Sequence, residues 1–207
     1  MAGTGLLLVG FLIAHMVGNL KAFQSGAKFD AYSHFLREFG YPMLGHGQLL
    51  WIARVVLLGA VVIHALAAIS LARENRAARP VRYKKWKADT SSYASRTMIW
   101  GGVIIALYVT YHILHFTTGQ VHPHFTDSPY ANLVAGFQVW PVALVYIAAQ
   151  VVLGMHLYHG IWSALRTLGA DNPRWEPLRR GCSATLALAI SLGFISIPVG
   201  VLTGLIG

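Results

Sequence analysis

Charge and cysteine are what this sequence has least of. Only 11% of its 207 residues are Asp, Glu, Lys or Arg, against roughly a quarter in an ordinary soluble domain, and that deficit excludes a water-facing globule. Acidic residues are the scarcest charges: 7 of them oppose 16 Lys and Arg, for a formal net charge of +9. The single cysteine, Cys182, excludes an intramolecular disulfide and any CxxC-type zinc or iron-sulfur site. Against these shortages stand a 56% hydrophobic composition and 10 histidines, more than all the acidic residues together. In a polar sequence a basic excess would suggest nucleic acid. Here the charges sit in blocks between long apolar runs, so they report membrane topology.

A helix needs about 20 mostly apolar residues to cross a hydrocarbon core of roughly 30 Å. Five stretches qualify: 3–20, 47–72, 97–118, 133–165 and 181–206. The expected fold is an all-α integral membrane bundle of five helices, one domain over 1–207. The fourth stretch is longer than a crossing requires and carries Pro141 near its start, so its first turns should lie at the interface or kink there. The first stretch has no basic leader, and a polar, aromatic segment (Asn19, Phe23, Phe29, Tyr32) follows it. It reads as a mature helix and not a cleaved signal. Residues 73–96 hold eight Lys or Arg and 166–180 hold four, whereas the opposite connections hold Lys21, Lys28 and Arg37, with none in 119–132. This asymmetry puts the N-terminus and both basic loops in the cytoplasm and the C-terminus outside.

Six histidines fall inside the spans: His15, His64, His112, His115, His156 and His159. Ionisable residues in hydrocarbon are costly, which makes them functional by default. Their depths follow from a rise of about 1.5 Å per residue. His15 precedes Lys21 by six residues and His112 precedes Gly119 by seven, roughly 10 Å from the outer surface. His64 precedes Arg73 by nine and His156 precedes Arg166 by ten, roughly 14 Å from the inner surface. The four form two pairs at two levels, each from two helices. Facing imidazoles at one depth are what a six-coordinate haem b requires, since the porphyrin supplies the other four nitrogens. Two such layers make a path for electrons across the membrane, and small residues nearby (Gly18, Gly59, Ala60, Gly101, Gly102, Gly154, Gly160) suit a flat macrocycle between helices. His115 and His159 each follow a candidate ligand by three residues and remain alternatives to it. His34, His46, His122 and His124 lie in the outer connections; His46 opens the second span, within reach of a quinone head group.

The run Ala14-His15-Met16-Val17-Gly18-Asn19-Leu20, then Ile63-His64-Ala65, Tyr111-His112, and Gly154-Met155-His156-Leu157-Tyr158-His159-Gly160-Ile161-Trp162-Ser163 carry a resemblance. The chain resembles, over essentially its whole length, the single-subunit di-haem cytochrome b anchor of bacterial succinate dehydrogenases and fumarate reductases. The resemblance implies two haems b, quinone exchange (menaquinone in this branch), and flavoprotein and iron-sulfur subunits docked on the cytoplasmic face of the bacterial inner membrane. It also implies that His64 and His156 hold the proximal haem and His15 and His112 the distal one, and that succinate chemistry lies on the partner subunits. The basic loop then gains a second role in docking. Two departures stand out: the chain reaches its first span almost at once, at Gly3-Thr4-Gly5-Leu6, and no Asp or Glu lies within a span. Proton coupling to quinone would then rest on water, histidines or surface groups.

Within that frame Arg54, the only Lys or Arg inside a span, is expected to pair with a distal haem propionate or to snorkel. Arg96, Ser163 and Arg166, with Trp100, are expected near the proximal propionates, and His46, Gln48 and Trp51 near quinone. Trp140 and Tyr130 read as interfacial belt residues. Two rival functions remain open on the residues: the di-haem anchor of a hydrogenase or formate dehydrogenase, and a transporter moving protons or a metal through histidines.

Overall fold

Apolar runs of this length become helices because hydrocarbon leaves backbone N–H and C=O groups no partners outside their own segment. The computed structural model describes residues 1–78 and 93–207, and the side chains of all of these except 93–97. Arg79, Arg82, Lys84, Lys85, Lys87 and the side chain of Arg96 lie outside the described residues. Among those described there are seven α-helices: α1 (Ala2–Asn19), α2 (Gly26–Glu38), α3 (Gln48–Ala77), α4 (Tyr93–His112), α5 (Pro129–Gln138), α6 (Trp140–Thr167) and α7 (Glu176–Leu202). There is no strand among the described residues. Five helical stretches, those containing α1, α3, α4, α6 and α7, are long and apolar enough to cross a membrane. The fold is therefore the expected five-span helical bundle.

The fourth span begins later than the hydropathy suggested. Val139 is extended (φ −78°, ψ 93°) and separates α5 from α6. Pro141, in the first turn of α6, lacks an N–H and its ring would collide with the carbonyl four residues back, so one continuous helix from 133 is not possible at low cost. Residues 133–138 therefore belong to a separate outer helix. α3 continues to Ala77, past the expected end at 72, and α7 starts at Glu176 and ends at Leu202. Gly204, at φ +75°, turns the chain so that the Leu205 and Ile206 N–H groups donate to the Gly200 carbonyl. The helices are thus longer on the side expected to be cytoplasmic and carry Glu74 and Glu176 near those ends.

α6 and α7 form the packed spine: 33% and 39% of their most apolar windows are buried, against 6% for the spans of α3 and α4. At one end Leu133, Phe137, Ala143, Tyr146, Ile197 and Val201 cluster. Midway, Leu153, Leu157, Ile161, Ala187 and Ile190 form a second group. α1 packs on α3 and α6, and α4 packs on α6, while neither α1 and α4 nor α3 and α6 pack extensively. α2 and α5 close the outer end, joined by Asp30, whose carboxylate accepts from the Ser128 hydroxyl (2.6 Å) and the Tyr130 N–H (2.9 Å).

Candidate functional site

The helix pairs that do not pack on each other are the ones that present facing histidines. His15 on α1 and His112, the last residue of α4, have ring centroids 5.9 Å apart with planes at 81°. His64 on α3 and His156 on α6 have centroids 6.4 Å apart at 63°. A metal–nitrogen bond of about 2 Å on each side puts two imidazole centroids about 6 Å apart, so both spacings suit a pair sharing one metal. Tyr146 stands at the outer level, 3.4 Å from His112, and His156 lies ten residues further along the same helix. The two levels are therefore about 15 Å apart.

The surroundings of the rings fit a prosthetic group. Among the described residues no three His, Cys, Asp or Glu converge, so a metal held by either pair would draw its remaining ligands from a macrocycle. The Nδ1 of His156 is buried without a hydrogen-bond partner. Glycines flank the inner rings: a Cβ on Gly5 would reach 3.4 Å from His64 Cε1, and one on Gly102 would reach 3.9 Å from His156 Cε1. The other small residues divide. Gly18 and Gly154 admit protein neighbours, Tyr32 and Ser191, within 2.7 Å of where a Cβ would stand, while Gly59 and Gly160 face open space.

His115 belongs to a different setting. It lies in a π-helical turn, Ile113–Thr117, and is fully buried. Its Nδ1 is 3.0 Å from Tyr146 Oη, and its ring stacks on Tyr111 (5.5 Å) and His122 (4.8 Å). His122 is held by its own contacts, donating from Nε2 to the Asn132 carbonyl (2.8 Å) and accepting the His124 N–H on Nδ1 (3.1 Å). His159 packs on Trp162 (5.6 Å).

The remaining expected contacts are spread over the two ends. Arg54 is exposed and lies over Trp51, 4.9 Å from its centroid. His46 stacks on Tyr41 (4.3 Å), with Nδ1 2.5 Å from a Glu38 carboxylate oxygen, and the Gln48 side-chain carbonyl accepts the Gly45 N–H. At the inner end Ser163 is exposed, and Arg166 donates to Asp171 (2.9 Å) while lying over Trp162 (5.2 Å). That guanidinium holds the Asp171 carboxyl below the usual carboxylate range. Trp162 also donates to Glu176 (3.3 Å), which in turn accepts from Arg180 (2.6 Å) and the buried Arg179.

The hydroxyls of Thr4 and Tyr146 and the carboxylate of Glu38 were not singled out by the sequence. A Thr or Tyr in an apolar run carries no periodic signal, and the polar partner of each lies on another helix or beyond a turn.

A family model described as succinate dehydrogenase/fumarate reductase transmembrane subunit matches residues 72–198, more than half of the chain. The matched stretch contains His112 and His156, one member of each facing pair, and leaves His15 and His64 outside it. No curated protein and no solved structure gives a significant match.

Proposed function

The chain belongs to the family of succinate dehydrogenase/fumarate reductase transmembrane subunits, and from that premise we propose that it is the di-haem anchor that carries electrons between the hydrophilic subunits and a quinone, menaquinone in this branch. As a member it is an integral membrane subunit of an oxidoreductase complex. The observation that carries the finer reading is the pair of facing imidazole sets, 5.9 and 6.4 Å apart, on helices that do not pack extensively on one another. His64 and His156 are assigned to the proximal haem, near the cytoplasmic iron-sulfur and flavoprotein subunits. His15 and His112 are assigned to the distal one.

Haem b, bound in each set, supplies a one-electron carrier inside the bilayer. The protein's own groups fix its place. The four imidazoles would hold the iron; Arg54, at the outer end of α3, would pair with a distal propionate, and Arg166, Ser163 and Arg96 with the proximal ones. A guanidinium paired in this way avoids the cost of a few kcal/mol of an isolated charge at depth. His46, Gln48 and Trp51 border the outer end, where a quinone carbonyl would find the His46–Glu38 pair as donor and proton exchanger.

The reading is tested on the purified complex by pyridine haemochrome and identification of the co-purifying subunits. Two haems b per chain, with a flavoprotein carrying succinate activity, are expected. His15→Ala and His112→Ala should each remove the same single haem, and His64→Ala and His156→Ala the other. A colourless preparation, or recovery with a periplasmic metalloenzyme, would overturn it.

A further inference from the structure

We propose that Thr4 and Tyr146 are positioning residues that hold His64 and His112, respectively, with the ring proton on Nδ1, leaving Nε2 of each free for iron. The inference rests on the reading that the two pairs hold haem. Thr4 Oγ1 lies 3.0 Å from the Met1 carbonyl and 3.2 Å from His64 Nδ1. A hydroxyl has one proton and a carbonyl only accepts. Thr4 therefore donates to Met1 and accepts from the Nδ1–H of His64.

The outer level repeats the logic with a different hydroxyl. Tyr146 Oη lies 3.0 Å from His115 Nδ1 and 3.4 Å from His112 Nδ1. It donates to the nearer nitrogen and accepts from His112. The opposite order would put the His112 proton on Nε2 and block coordination. His115 thus acts through Tyr146, as the acceptor that sets the direction of the chain.

The two hydroxyls cross between levels. Thr4 sits on α1, which carries outer His15, and Tyr146 sits on α6, which carries inner His156. Each helix that contributes a ligand to one level orients a ligand of the other. The opposing ligands lack such a partner: His156 Nδ1 has none, and His15 meets only a donor, the Asn19 amide, 3.3 Å from Nδ1 and 3.4 Å from Nε2. An acceptor on Nδ1–H raises the basicity of the metal-facing nitrogen. Its loss should weaken donation to iron and raise the midpoint potential.

The test is a redox titration, with haem content, of the full complex carrying Thr4→Val, Thr4→Ser or Tyr146→Phe. Both T4V and Y146F should keep two haems. T4V should raise only the potential of the haem that His64→Ala removes, and Y146F only that of the haem that His112→Ala removes; T4S should return the wild-type value. If the histidine variants each remove one haem while T4V and Y146F leave both potentials unmoved, or shift both together, the positioning role is wrong. If the histidine variants leave both haems in place, the underlying haem assignment is what fails.

Discussion

A histidine in hydrocarbon carries two ring nitrogens, each costing about 1–3 kcal/mol when buried without a partner. His115 bears that cost at Nε2, which is buried without a partner; it is packing that separates it from His112, three residues away on the same helix end. His112 faces His15 across the bundle, whereas His115 is stacked between Tyr111 and His122 with Nδ1 on Tyr146. His115→Phe should keep both haems but, by taking away the acceptor that orients Tyr146, shift the potential of the haem that His112→Ala removes, with a stability loss of about 1–2 kcal/mol read as a lower melting temperature. Loss of a haem in this variant would transfer the ligand role to His115. At Gly154 the constraint is steric. A Cβ there would stand 2.7 Å from Ser191 Oγ but 3.5 Å from Ser191 Cβ. Gly154→Ala should cost about 1–3 kcal/mol by overpacking, and adding Ser191→Ala should recover most of it, since the Ser191 hydroxyl is buried without a partner and its removal breaks no bond. Thermal melts of the two single variants and the double variant measure that coupling.

The spans themselves differ in what buries them. α6 and α7 bury a third or more of their apolar windows against protein, whereas α3 and α4 bury almost none. The faces of α3 and α4 that other helices leave open are consequently available to lipid and, between the histidine pairs, to a prosthetic group. At the outer end, α2 and α5 depend on one another through Asp30. Asp30→Ala removes two charge-assisted bonds at a half-buried site, for an expected loss of about 2 kcal/mol after screening. Faster proteolysis of the outer connections with unchanged haem content would show it; a loss of haem would mean that the clasp also positions the outer histidines. The break at Val139 fits the same picture, because it frees α5 to lie against α2 and α7 at this end instead of prolonging α6.

For the whole molecule, orientation follows from where Lys and Arg are retained, and it can be tested without disturbing the site. In a Cys182→Ser background, Asp127→Cys, exposed in the outer connection, should react with an impermeant maleimide in intact spheroplasts. Ala170→Cys, exposed in the α6–α7 turn, should react only after permeabilisation. The reverse pattern would invert the topology and with it the assignment of the inner pair to the proximal haem.

The number of crossings, the helical class and the grouping of four histidines into two facing pairs were legible in the amino-acid sequence. Length, apolar content and a constant rise per residue are properties of a single segment in hydrocarbon, and they need no neighbour. The placement of α5 was less so: hydropathy alone merged 133–138 with the fourth span, and only the backbone at Val139 separates them. The azimuth of each helix and the partners across it are set by packing among helices far apart in sequence. Tertiary structure alone therefore decided that His112 and not His115 faces His15, that Glu38 meets His46, and that Thr4 and Tyr146 reach His64 and His112 from the helices opposite.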